Sequence, residues 1–375
     1  MSATRIDGHI LTTQGFVRGT LVHEHGRITQ LQGTPANQAQ VRAAGEPLVL
    51  PGFIDLHVHG GGGGDFMEGG DVAARIARAH ARHGTTALLA TTMTAPLADI
   101  ENAMRALGPA CRTRSTGGAR LLGVHLEGPY INPGKLGAQP AFTRAVSIAE
   151  IQALHALAPI RVITLAPELP GHLDLISALG QAGFIVQIGH TLGSYEDGVA
   201  ALERGAGGFT HLFNAMSPLH HRHPGMVGAA LAHARHAELI PDLLHVHPGA
   251  IRAALRAIPH LYCVTDSTAA TGMPDGDYRL GPQAVIKCGN GVRLADGTLA
   301  GSTLTMDQAL RNLVSLGLDV DEASRRVSTS AADHLGLADR GRLQRGASAD
   351  LVVLDRDLQV RRVIVEGEEI DLADA

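Results

Sequence analysis

PGFIDLHVHG, residues 51–60, is an apolar run that closes on two histidines, His57 and His59. Residues i and i+2 of a strand point to one side, so a strand here aims both imidazoles at one place. Seven further stretches share its make-up: TTALLATT (85–92), LLGVHLEG (121–128), RVITLAPE (161–168), FIVQIGHT (184–191), GFTHLF (208–213), LLHVH (243–247) and LYCVTDST (261–268). Between them lie helix-like segments such as DVAARIARAHARHG, IAEIQALHALA, LDLISALGQAG and YEDGVAALERGAG, with apolar residues three and four apart and a glycine near the end. Eight strand–helix units in one run predict an α/β fold, a closed parallel (β/α)8 TIM-like barrel over residues 51–340, ahead of a doubly wound open sheet.

The polar residues favour the barrel. His57 and His59 end strand one, His125 and Glu127 lie in strand three, His190 ends strand five, His211 strand six, His245 strand seven and Asp266 strand eight. In a barrel these carboxyl ends share one face, where active sites are built. A single strand histidine is ordinarily a hydrogen-bonded core residue. Repetition at equivalent ends of separate strands has no packing reason.

Nitrogen and oxygen donors with no thiolate nearby suit a divalent metal, zinc first, with iron, manganese or cobalt as alternatives and one or two ions per subunit. A metal lowers the pKa of water toward neutrality, and a neighbouring carboxylate can take the proton and pass it to a leaving amine. Asp266 is the candidate for that transfer, for metal ligation, or for both.

The rest of the chain narrows the class. The first fifty residues and the last thirty-odd read as short strands, neither piece long enough for a core of its own. Residues 1–50 and 341–375 are therefore expected to pair as one small discontinuous β-sandwich domain beside the barrel. The stretch GMPDGDYRLGPQAVIKCGNGVRLADGTLAGS reads as a β excursion before the helix TMDQALRNLVSLG. Gly60 to Gly64 lacks the Gly-Lys-Ser/Thr ending of a phosphate loop, and reads as a flexible turn leaving the metal site.

Of the 21 histidines, His80, His83, His233 and His236 read as surface residues on helical faces. A net charge of −5 with no basic run excludes a nucleic-acid surface. Three scattered cysteines, Cys111, Cys263 and Cys288, support neither a disulfide framework nor a zinc knuckle. No apolar run approaches the roughly 20 residues of a membrane span. With no basic segment leading an apolar core at the N-terminus, a reducing cytoplasm is the expected location.

At the level of motifs, PGFIDLHVHG resembles the first-strand signature of the amidohydrolase superfamily. HLEGPYINPGKLGA (125–138), GHT (189–191), THLFNAM (210–216), HRHPGMVGA (221–229), HVHP (245–248), VTDSTAATG (264–272) and GTLAGSTLTM (297–306) together resemble the N-acetylglucosamine-6-phosphate deacetylase family over nearly the whole chain. The resemblance implies removal of the acetyl group from an amino-sugar phosphate. It implies Glu127, His190 and His211 as principal metal ligands, His57 and His59 as a second ion position with Asp266 at its edge, and Asp266 as catalytic acid/base. It implies Asn214, Ala215, Arg222 and His245 as substrate contacts, with the backbone around Ser302 and Thr303 closing over the sugar. A guanidinium matches a phosphate well, so Arg222 is the expected phosphate anchor, carried on a loop that reaches the neighbouring site of a homodimer.

Three positions depart from the family pattern. Gln139 stands where a carbonyl-polarising histidine is usual, Leu243 where glycine is common, and His223 where glutamate often follows the arginine. A glutamine donates a hydrogen bond but carries no charge. Alternative substrates are therefore another N-acyl amino sugar, such as N-acetylgalactosamine 6-phosphate, or an N-acyl amino acid. Cyclic-amide hydrolases commonly bridge their metals with a carboxylated lysine, whereas Glu127 fills that place here. A catalytically dead scaffold should have lost ligands, and this chain keeps all of them.

Overall fold

The computed structural model describes residues 3–43 and 45–373. Eight parallel strands form the barrel: β1 (Phe53–Val58), β2 (Thr85–Thr91), β3 (Arg120–Glu127), β4 (Ile160–Leu165), β5 (Ile185–Ile188), β6 (Gly208–Phe209), β7 (His236–Leu239) and β8 (His260–Cys263). β1 to β6 form one sheet in chain order, and β7 pairs with β8. Backbone hydrogen bonds close the two remaining seams, with His59 and Gly60 N–H both donating to Ser267 O at 2.9 Å on the β8–β1 side. Leu212 N–H donates to Glu238 O at 2.9 Å, and Asp266 N–H donates to His57 O at 2.9 Å. β1 and β2 are buried along their whole length, which is why they read as continuous apolar runs and not as alternating strands.

Each strand is followed by a helix packed outside the barrel. Leu97–Arg112 is representative, burying Ile100, Ala103, Met104 and Leu107 on one stripe. Local chemistry starts several of these helices: Ser194 and Asp197 form a capping box before Tyr195–Glu203. After β8 the excursion forms four antiparallel strands, Gly276–Leu280, Gln283–Cys288, Gly291–Arg293 and Leu299–Ser302. They rest over the carboxyl-terminal face of the barrel.

The seventh strand is not where the sequence pattern put it. LLHVH (243–247) is irregular, and the strand is His236–Leu239. Pro241 and Asp242 open a turn and Leu243 takes φ +65°, a left-handed conformation that ends any strand. His80 and His236 also differ from expectation. His80 is buried inside its helix with Nε2 2.9 Å from Gly60 O, and His236 lies on β7, not on a helix.

The chain termini build a second layer, a seven-stranded sheet. Its order is Glu368–Glu369, Val360–Val365, Leu351–Leu354, Leu48–Pro51, Thr4–Thr12, Gly15–Glu24, Arg27–Pro35. N- and C-terminal segments join where Val49 pairs with Val353. Ile6, Ile10, Leu21, Ile28, Val49, Leu351, Val353 and Ile364 share one core, so both halves of the sheet fold onto common apolar side chains. Glu366 ties this layer to the barrel: it accepts from Arg120 at 2.7 Å and Arg114 at 3.2 Å, and also pairs with Arg340. Among the described residues no helix is long and apolar enough to cross a membrane.

Candidate active site

The carboxyl-terminal ends of β1, β3, β5, β6 and β8 bring six side chains together. Oε1 of Glu127 lies 3.0 Å from Nε2 of His190 and 3.1 Å from Nε2 of His211, and those two nitrogens are 3.1 Å apart. The other oxygen of Glu127 lies 3.4 Å from Nε2 of His57 and 3.2 Å from Nε2 of His59. Oδ1 of Asp266 is 3.5 and 3.3 Å from the same two nitrogens. All six residues are buried. His190, His211 and Asp266 share a further property: each follows its strand with positive φ, at +49°, +30° and +51°. Such backbone costs roughly 1–3 kcal/mol per non-glycine residue and persists where surrounding structure over-determines it. Here it directs three strand-end side chains to one point.

This donor set fits a divalent metal. His190 Nδ1 lies 2.8 Å from the carbonyl oxygen of Lys135, which can only accept, so Nδ1 carries the hydrogen. With Nδ1 so committed, the other ring nitrogen, Nε2, is the one turned toward the Glu127 oxygen and toward His211. His57 is held likewise, its Nδ1 3.0 Å from Oε2 of Glu238. Facing lone pairs at this spacing are what a cation satisfies, since a tetrahedral ion separates its ligands by roughly 3.3 Å.

Protons compete for the same lone pairs. Burial pulls His59 toward neutrality, but Asp266 and Glu127 override it and hold the ring at about 9. Burial also raises His57's cost of charge, yet Glu127, Asp266 and Glu238 keep it well above its ordinary value. Burial alone would raise Asp266, but His57 and His59 hold it at about 2.

Above this floor opens a cavity of ≈ 390 Å³, large enough for a sugar-sized ligand. His59, Glu127, Gln139, His190, His211, Asn214, Ala215, His245 and Asp266 all line it. His57 lies beneath, fully buried. Gln139 does not present a free amide: Nε2 donates to Oε2 of Glu127 at 2.6 Å, and Oε1 accepts from Thr94 N–H at 2.7 Å. Gly301 lines the cavity while Ser302 beside it is buried, its N–H donating to Asp266 O at 2.7 Å. Thr303 bonds outward to Asn290 O. Arg222 sits on an exposed loop with His220 and His223, outside this chain's own cavity.

The glycine run is a hairpin, not a flexible turn. Gly60–Gly61 pairs with Gly64–Asp65, and the amides of Gly60, Gly62 and Gly63 donate to Ser267, Thr271 and Ala269 carbonyls at 2.9 Å. Those N–H groups are spent within the fold and do not cradle phosphate. At Gly61 a Cβ would lie 2.8 Å from His80 Nε2, so close approach requires glycine there.

Two buried carboxylates escaped the sequence reading. Glu238 on β7 holds His57 Nδ1, accepts from Gln187 Nε2 at 2.8 Å and receives His211 N–H at 3.2 Å. Its only signal was a charge in HAEL, a segment not read as a strand. Asp55 accepts from Thr265 Oγ1 at 2.6 Å and Thr265 N–H at 3.2 Å, fastening β1 to the segment after β8. Burial pushes it up to about 7, against the hydrogen bonds from Thr265. Its signal was visible, a lone acid inside PGFIDLHVHG in register with His57 and His59.

Comparison with known proteins bears on what such a site does. The Amidohydrolase family matches residues 48–370. The chain belongs to the amidohydrolase family. This amidohydrolase is 42% identical over 329 residues to an N-acetylgalactosamine-6-phosphate deacetylase of Escherichia coli O157:H7, covering 86% of this chain and 87% of the relative. It is 39% identical over 336 residues to an N-acetylglucosamine-6-phosphate deacetylase of Lysinibacillus sphaericus, covering 88% and 86%. Among solved structures, a mutant N-acetyl-D-glucosamine-6-phosphate deacetylase of Mycobacterium smegmatis in complex with N-acetyl-D-glucosamine-6-phosphate superposes with TM-score 0.90 at 35% identity, over 99% of this chain and 100% of that one. The amidohydrolase is thus an enzyme of amide C–N bond hydrolysis, with a barrel and a terminal β layer as its family fold.

Proposed function

We propose that the enzyme removes the acetyl group from N-acetylglucosamine 6-phosphate, giving glucosamine 6-phosphate and acetate. The observation that carries this reading is the convergence of Glu127, His190 and His211 at the floor of a cavity that Asp266, Asn214 and His245 also line. In this reading those three residues hold a divalent ion, zinc first, with iron, manganese or cobalt as alternatives. His57 and His59, with Asp266 at the edge, offer a second position. A bound ion supplies a Lewis acid for the amide oxygen and acidifies water. Asp266 takes a proton from the attacking water and passes it to the departing nitrogen, so the C–N bond breaks as the new C–O bond is kept. Gln139 acts by fixing the Glu127 carboxylate.

Asn214, the backbone at Ala215 and the strand end at Leu299 and Gly301, just before Ser302 and Thr303, enclose the sugar, and His245 meets its phosphate. Arg222, exposed and outside its own cavity, is assigned by the family resemblance as a phosphate anchor for a partner protomer in a homodimer. The relative of 42% identity supports a second reading, N-acetylgalactosamine 6-phosphate, which differs only in the orientation of one hydroxyl. The cytoplasm is the proposed location. Residues 1–50 with 341–375 are proposed as the small domain and 51–340 as the hydrolase domain; residues 1, 2, 44, 374 and 375 of these ranges lie outside the described residues.

The test is acetate release from a panel: both 6-phosphates, the two unphosphorylated sugars and an N-acetyl amino acid, each with defined added metals. The reading expects kcat/KM for one 6-phosphate to exceed that of its free sugar by a hundredfold or more, about 2.7 kcal/mol. Equal values would overturn it.

A further inference from the structure

Asp242 and His245 form a pair at the cavity wall. Oδ2 of Asp242 is 2.6 Å from Nδ1 of His245, and both side chains are almost wholly buried, at 6% and 7% exposure. The other oxygen of the same carboxylate accepts the N–H groups of Leu244 at 2.9 Å and His245 at 2.8 Å. One oxygen therefore braces the turn and the other is given to the ring. A carboxylate carries no hydrogen, so Nδ1 must donate, which leaves Nε2 as the free ring nitrogen of a residue that lines the cavity. Among the described residues Nε2 has no hydrogen-bond partner.

We propose that Asp242 is a positioning residue: it holds the His245 ring with Nε2–H turned into the cavity as a charge-assisted donor to the phosphate of the substrate. The proposal rests on the deacetylase reading above. It agrees with the electrostatics of the ring. Burial favours neutral imidazole and Arg293 opposes charge as well, but Asp242 and Asp266 together override them, and the net shift is upward. The backbone is committed to the same end, because Leu243 takes a left-handed φ that brings Asp242 and His245 face to face across one turn.

Asp242→Asn separates bracing from ring charge. Its Oδ1 can still accept the two backbone amides, while its Nδ2 would donate to the ring and leave a neutral imidazole with Nε2–H in place. A neutral donor binds phosphate more weakly than a charged one. The measured quantity is phosphate preference, the ratio of kcat/KM for the 6-phosphate to that for the free N-acetyl sugar, in metal-loaded enzyme with metal content and thermal midpoint recorded alongside. Asp242→Asn is expected to lower this ratio about tenfold, chiefly through KM of the phosphorylated substrate. In a His245→Gln background the same change should alter it less than about twofold.

A wild-type ratio retained in Asp242→Asn, or an equal loss on both substrates, overturns the positioning role. A wild-type enzyme with no phosphate preference overturns the substrate reading itself. Should Asp242→Asn not fold, Asp242→Glu, which displaces the carboxylate from the ring, is read by the same ratio with the same two outcomes.

Discussion

Gln139 joins Glu127 to the backbone: its amide nitrogen lies 2.6 Å from the Glu127 carboxylate, and its amide oxygen takes Thr94 N–H at 2.7 Å. The residue that stands where the family resemblance expects a histidine is thus saturated by protein partners and orients the Glu127 carboxylate. Gln139→Ala is expected to weaken metal affinity and lower kcat by ten- to a hundredfold each, as loss of an outer-shell partner does elsewhere. Metal titration of chelated protein and steady-state rates at saturating metal would check both, and unchanged affinity would assign Gln139 to substrate instead.

Asp266→Asn keeps the shape of the side chain but removes the base. The expectation is a folded, metal-containing enzyme whose kcat falls by about a thousandfold or more. Turnover within tenfold of wild type would show that another group carries the proton.

Metal binding should displace protons. His59 is held at about 9 by Asp266 and Glu127 against the pull of burial, so at pH 8 the ring is largely protonated before an ion arrives. Loading zinc at pH 8 should release about one proton or more per chain, and affinity should weaken as pH falls. Calorimetry in buffers of differing ionisation enthalpy measures the release directly, and an apparent enthalpy independent of buffer would contradict this.

Leu243 pays for its left-handed φ of +65° with little packing in return, being 37% exposed. Leu243→Gly should raise stability by about 0.5–1 kcal/mol, a shift of roughly 1–3 °C in thermal midpoint for a chain of this size. Leu243→Ile should lower it. A glycine variant that melts below wild type would mean the side chain packs better than its exposure implies.

Glu366 links stability to pH. Burial would raise its pKa, but Arg120 and Arg340 override this and hold it at about 2, below the ordinary 4.5. A folded-state value below the unfolded one stabilises the protein above pH 4.5, and that contribution is lost as pH falls from 4.5 toward 2. Glu366→Gln should cost about 2 kcal/mol at pH 7, discounted for partial exposure, and the gap to wild type should close on acidification. Urea unfolding at several pH values follows the gap; one that widens toward acid would reverse the sign.

The barrel and most of its metal-capable rim were legible because parallel strands buried on both faces write themselves as apolar runs, and their polar ends stand out. His57, His59, Glu127, His190, His211 and Asp266 were all found that way. Strand seven was not legible. HAEL is short and carries a buried charge, whereas LLHVH looks more strand-like but follows a proline and contains a left-handed residue. Missing that strand meant missing Glu238. Gln139 stood out in the sequence, but its partner Glu127 lies across a contact between segments that spacing along the chain does not encode.

The pairing of Val49 with Val353 means that the enzyme's terminal layer cannot close until the barrel between them has been synthesised. Leu48–Pro51 leads into the first barrel strand through Gly52 alone, yet it stays an open edge until the entire hydrolase has been synthesised. Nascent or C-terminally clipped chains would expose that edge to intermolecular pairing, so proteolytic nicking near residue 350 should be read out as aggregation rather than as a tidy, smaller enzyme.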